Sequence, residues 1–237
     1  MYKSLRILVL ALLVLTTVLP AAWAAEKNSG NTEIQVSGSH QEEITPDIAY
    51  INVGTLTEAE TVTAAQTKNA EVSERVRSQL EALGIKSEYI KTANYSVTPL
   101  YKNDDNGKRL PTVKGYQVNN SIIVTANADK AGEVVDTALN AGANQVNSIR
   151  FGKRAEGDVK NAALAQAVRD ALSKADAIAS ALNKRVVKVT SVSENGINLQ
   201  SPEVSTRLYA KADSLGTPIS AGLLTLSANV QVTVELD

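Results

Sequence analysis

The chain has 237 residues, 43% hydrophobic but only 4% aromatic, with 24 Lys and Arg against 25 Asp and Glu. With no Cys and a single His, it excludes disulfide frameworks, thiol catalysis, and zinc or copper sites built from several Cys or His side chains. No basic face stands out, which argues against nucleic acid as a partner, and the core has to be built from Val, Ile, Leu and Ala.

Residues 1–24 read as a secretory signal. Lys3 and Arg6 precede an apolar run from Ile7 to Leu19, Pro20 breaks it, and Ala22-Trp23-Ala24 places small residues where a signal peptidase reads. The run is short for a membrane span, so cleavage after Ala24 is expected, giving an exported chain, periplasmic or otherwise, with no stable membrane span. Met1 and Trp23 are the only Met and Trp and leave with the signal. Residues 25–31 are small and polar and form a flexible leader.

A strand is expected over 32–39, with Ile34, Val36 and Gly38 on one face. A turn at Thr45-Pro46-Asp47 leads to a second strand, with Ala49, Ile51 and Val53 aligned. The spacing of Ala65, Val72, Val76, Leu80 and Leu83 predicts a helix over 61–83, closed by Gly84 in a left-handed cap with Ile85 folding back. Two alternating runs follow. Ala93, Tyr95, Val97, Pro99 and Tyr101 share one face of the first, and Pro99 places that strand at an edge or bulge. Tyr116, Val118, Ile122 and Val124 share a face of the second. Between them, Asp104-Asp105-Asn106-Gly107 reads as a solvated hairpin tip, because Lys102 stands where a calcium loop needs its first carboxylate.

A helix over 129–140, a short strand over 145–152 and a long helix over 155–183 come next. The long helix has an apolar stripe of Leu164, Val168, Leu172, Ala175, Ile178 and Leu182, and Asp170 and Lys174 can pair one turn apart. Its many alanines permit close approach to a sheet. A strand over 185–193 precedes an irregular polar arm over 194–220. The run from Leu224 to Leu236 alternates almost without fault, the mark of a strand with one buried face. The pattern predicts an α+β fold, an antiparallel or mixed sheet with helices packed on one face, spanning 32–237 with a sub-domain at 128–154.

Candidate sites are few. His40 beside Glu42 and Glu43 has the composition of a weak metal or pH-sensitive group, but reads as a turn histidine. Asp47, Glu58, Glu60, Asp129 and Glu133 read as turn, cap or helix-surface carboxylates. Tyr95, Tyr101 and Tyr116 pack along the sheet or line a binding surface. Asn94-Tyr95-Ser96 and Asn119-Asn120-Ser121 fit the glycosylation pattern, and most simply are strand segments. No nucleophile elbow and no phosphate-binding glycine loop occur. No catalytic, cofactor-binding or metal-binding residue is assigned, and no cofactor is expected.

The segments "GIKSEYIKTANYSVTPLY" and "GYQVNNSIIV" resemble the SIMPL-domain family, including its bacterial periplasmic members. "TPDIAYINVG", "AGANQVNSIRF", "AVRDALSKADAIASAL" and "ISAGLLTLSANVQVTVEL" extend the resemblance from about Thr32 to Leu236. One departure is Ala221-Gly222, where the family often has Pro-Gly. The resemblance implies an exported protein linked to oxidative-stress defence, in some members a ring- or channel-like homo-oligomer, with no agreed enzymatic activity. The reading that follows is a non-enzymatic, self-assembling envelope protein that supports oxidative or envelope stress defence indirectly. The alternatives are a binding module for a peptide, glycan or small molecule, and a carboxylate- or serine-based hydrolase. A membrane barrel fits poorly with three helices and few aromatics.

Overall fold

The computed structural model describes residues 32–201 and 217–237. The expected signal, the leader and most of the expected arm lie outside the described residues. Ten principal elements follow one another: β1 (Thr32–Ile44), β2 (Ile48–Ala59), α1 (Val62–Ala82), β3 (Ile90–Asn103), β4 (Arg109–Asn127), α2 (Ala131–Asn140), β5 (Gln145–Gly152), α3 (Glu156–Ala181), β6 (Val186–Gln200) and β7 (Leu224–Leu236).

They form two antiparallel sheets, ordered β3-β4-β2-β5 and β1-β7-β6. Helices α1 and α2 pack on one face of the four-stranded sheet and α3 on one face of the three-stranded sheet. This is the expected α+β class, with the helices on one side of each sheet.

The first core forms where the alternation of β2 meets the helical spacing of α1. Ala49, Ile51 and Val53 point inward against Val76 and Leu80, with Val134 and Val135 of α2 beside them. Each fully buried Val, Leu or Ile contributes about 1.5–3 kcal/mol relative to exposure. Helix α1 starts at Thr61, whose Oγ1 accepts a hydrogen bond from the Ala64 N–H at 3.2 Å. It stops where Gly84 takes φ 93°, which lets the Ile85 N–H donate to the Leu80 carbonyl at 3.1 Å.

The second core is built differently from the expected stripe. The residues of α3 that face the sheet are Ala163, Ala167, Ala171, Ala175 and Ala179. Leu164, Val168 and Leu172 flank that line half-buried, while Ile178 and Leu182 are exposed. Sterics decide it. An added Cβ on Gly38 would lie 2.0 Å from the Ala167 carbonyl oxygen, so the helix backbone rests on β1. Only alanine fits between backbones at that range.

Two strands exceed their expected lengths. β1 continues to Ile44, so His40, Glu42 and Glu43 lie in a strand and not in a turn. β6 continues to Gln200, so residues 194–200 belong to the sheet and not to an arm. Three register shifts in β6 against β7, at Val186/Lys188, Val189/Ser191 and Glu194/Ile197, scramble its period of two.

Candidate functional site

The hairpin tip between β3 and β4 is a turn. Asp104 Oδ1 accepts from the Asn106 N–H at 3.0 Å and the Lys108 N–H at 2.7 Å, and Gly107 has φ 80°. Its best acceptor is thus occupied by the backbone. Among the described residues, no group of three or more His, Asp or Glu is placed to hold a metal ion. His40 Nε2 lies 3.7 Å from Glu42 Oε2, two residues along the same face of β1. Pro99 sits in β3, an edge strand, as its chemistry requires. Tyr95 and Val97 stand exposed on that strand, and the Tyr95 hydroxyl accepts from Gln66 Nε2 of α1 at 3.4 Å. Tyr101 lies under the Arg109 guanidinium, 3.8 Å from ring centroid to Cζ, and Tyr116 is paired with Pro99 across the ladder.

Of the five singled-out carboxylates, Asp47 and Asp129 line one hollow together with Asn127 and Arg154. Glu58 instead accepts from Gln117 Nε2 at 2.9 Å, Glu60 is exposed in the bend between β2 and α1, and Glu133 is exposed on α2. Asp47, in the turn between β1 and β2, is tied to the ends of β4 and β5 in the four-stranded sheet. Its N–H donates to the Gly152 carbonyl and its carbonyl accepts from the Ala128 N–H, both at 3.1 Å. Its carboxylate accepts from the Arg154 N–H at 2.7 Å and lies 3.3 Å from Lys153 Nζ. Partial burial raises the Asp47 pKa, but the Arg154 N–H bond and the Lys153 ammonium outweigh it and hold the group below 3.8.

Under α1 lies a buried polar cluster that pattern reading missed. Asn69 Nδ2 donates to the Thr55 carbonyl at 2.8 Å and to the Val118 carbonyl at 3.3 Å, so one amide spans β2 and β4. Ser73 Oγ donates to Asn69 Oδ1 at 3.2 Å and accepts from Asn120 Nδ2 at 3.0 Å. The sequence signal is the position of Asn69 on the line of Ala65, Val76 and Leu80. The cluster fixes the helix on the sheet and exposes no reactive group, so its chemistry is positional.

The sheet edges differ in how they end. At β1, Asp170 Oδ2 accepts from the Ser39 N–H at 2.9 Å and Lys174 Nζ donates to the Ser37 carbonyl at 3.1 Å. The two α3 side chains, themselves 2.6 Å apart, occupy one outward donor and one outward acceptor in the middle of that strand. β3 is interrupted by Pro99, and β5 has only eight residues. β6 is different: it has 15 residues and no proline, with Val187, Val189 and Val192 at 61%, 42% and 55% exposure. Most of α3 lies over β1 and β7, which leaves these valines bare.

Residues 34–234 match a family model, SIMPL, described as a protein of unknown function (DUF541). The chain is 28% identical over 223 residues to the 26 kDa periplasmic immunogenic protein of Brucella melitensis, covering 90% of this chain and 89% of that protein. It is 30% identical over 195 residues to the uncharacterized protein YggE of Edwardsiella ictaluri, covering 81% and 79%. To YggE of Escherichia coli strain K12 it is 28% identical over 230 residues, covering 97% and 91%. With 34–234 matched by one family model across both sheets, the chain belongs to the SIMPL family.

Proposed function

We propose that this chain is an exported, periplasmic envelope protein that acts through self-assembly and not through catalysis, supporting oxidative or envelope stress defence indirectly. Export is supported by the name of the Brucella relative, a periplasmic protein, and by the signal-like pattern of residues 1–24. A direct chemical role against oxidants has little to work with: the chain has no Cys and one Met.

The observation that carries assembly is the β6 edge. A strand edge offers unpaired N–H and C=O groups, and the same edge on a second copy, turned by a two-fold axis, is its complement. Pairing β6 with its copy would join two three-stranded sheets into one of six. Val189 and Val192 of each copy, which alternate onto the helix side, would then meet in the space between the two α3 helices.

The absence of Cys makes the test direct. Single variants Thr190→Cys, Ser191→Cys, Val192→Cys and Ser193→Cys each introduce one thiol into a thiol-free chain. Under mild oxidation, one or two neighbouring positions should give a covalent dimer in high yield, because opposed strand residues lie about 4.5–5.5 Å apart. Equal, slow crosslinking at all four positions would contradict pairing at this edge.

A further inference from the structure

The turn between β1 and β2, the end of β4 and the entry to α3 border a depression of about 380 Å³ that is open to solvent, with Asp47, Asp129 and Arg154 exposed along it. Its walls are held by the main-chain bonds of Asp47 to Gly152 and Ala128, so the hollow is preformed by the junction of the strands. The Asp47 carboxylate is engaged by the Arg154 N–H and Lys153. The Arg154 side chain makes one bond, Nη2 to Asn127 Oδ1 at 3.2 Å, and its other N–H groups have no acceptor among the described residues. The Asp129 carboxylate has no hydrogen-bond or ion-pair partner among them either.

A cation and an anion therefore line the same concavity without pairing with each other. A guanidinium with free N–H groups is a fork for a carboxylate, and a free carboxylate accepts from an ammonium. A simple anion bound at Arg154 would face Asp47 and Asp129, and a simple cation bound at Asp129 would face Arg154. Only a ligand carrying both charges meets complementary charge at both ends.

We propose that this hollow binds a small zwitterion, its carboxylate on Arg154 and its ammonium on Asp129. The class comprises free α-amino acids and short peptides, which differ in the separation of their two charges. The volume suits ligands of this size, near the lower end of small-molecule sites. The hollow shares no residue with β6, so this proposal and the assembly reading stand or fall separately.

The test is a two-dimensional NMR titration of the ¹⁵N-labelled chain, residues 25–237, with L-alanine, dialanine and trialanine, and with acetate and ethylammonium as single-charge controls. The expected result is saturable shifts at the amides of 127–129 and 152–155, with a dissociation constant of about a millimolar for one of the three zwitterions. Which of the three binds best separates a free amino acid from a peptide. Asp129→Asn and Arg154→Gln should each weaken binding by about tenfold or more. Arg154→Gln keeps the main-chain bond to Asp47, so an unchanged spectrum elsewhere reports an intact fold. Absence of saturable shifts with all three zwitterions would overturn the proposal. So would acetate or ethylammonium binding as well as the best zwitterion, or both variants binding normally.

Discussion

Asp170 on α3 accepts a hydrogen bond from the Ser39 N–H on β1 at 2.9 Å, while bound to Lys174 one helical turn away. Spacing alone predicts the ion pair, but not that it is turned onto the edge of a strand. A surface pair of this kind adds little stability by itself. Its consequence is local: it occupies the outward donor of Ser39 and acceptor of Ser37, so the middle of the β1 edge is capped where no such contact is made on β6.

Asp170→Ala should therefore release the β1 edge with the fold retained. The Ser39 amide should exchange with solvent faster by about tenfold or more, and the variant should aggregate sooner on concentration. Hydrogen exchange read by NMR checks this. Unchanged protection at Ser39 would mean that Asp170 does not hold the edge.

Gly38 predicts a larger effect. Its missing Cβ leaves room for the Ala167 carbonyl and for Ala171, both within 2.7 Å of where that atom would lie. Gly38→Val forces β1 and α3 apart and should cost about 3 kcal/mol by denaturant unfolding, at the upper end of overpacking penalties. Gly157→Ala is the control, since nothing lies within 4 Å of its added Cβ.

Asn69 is 1% exposed in the middle of α1. Asn69→Ala removes the donor to the Thr55 and Val118 carbonyls and the acceptor of the Ser73 hydroxyl. A loss of about 2–4 kcal/mol is expected, because several buried polar groups lose partners at once. A loss below about 0.5 kcal/mol would show that water replaces the amide.

Acid should weaken the fold through three carboxylates whose pKa values are lowered from 3.8. Asp170 is held down by the Lys174 ammonium and then the Ser39 N–H, Asp237 by the Arg185 N–H and then its guanidinium, and Asp47 by the net of burial against Arg154 and Lys153. A folded pKa below the unfolded one means that the stabilisation is fully present above the unfolded value and is lost as pH falls through the folded one. Tm should be level from about pH 6 to 4.5 and fall below about pH 3.8. In the double variant Asp47→Asn, Asp170→Asn, the fall should be shallower. An equal slope in both proteins would remove these two groups from the account.

How much of this was legible in the sequence depends on what each strand packs against. β7 matches its expected span because one face is apolar throughout, β5 matches its own with Ile149 and Phe151 buried, and α1 carries both its cap and its stop. The eight-residue β5 was read within its bounds, yet the 15-residue β6 was cut at Ser193. Its three bulges interrupt the alternation, and no residue of β6 is itself buried to mark a face. Residues His40–Glu43 read as a turn because polar side chains hide a strand whose pairing is set by β7. Of the expected α3 stripe Ala175 faces the sheet as read, while the leucine, valine and isoleucine positions lie one residue off the buried line, since large apolar residues are a stronger pattern signal than alanine and Gly38 leaves room only for a small side chain. The Asp47–Asp129–Arg154 hollow gathers residues from three distant segments, and no local pattern encodes that meeting.

Self-assembly through β6 is tested most directly by the absolute mass of the chain from Ala25 to Asp237, by size exclusion with light scattering over a wide range of concentrations. It should be measured beside the variant Val189→Lys, Val192→Lys, which places like charges where two copies would meet. The account predicts a discrete multimer that persists on dilution, and for the variant a smaller species with an unchanged circular dichroism spectrum. A monomer at every concentration, or a multimer of the same mass in the variant, would contradict it.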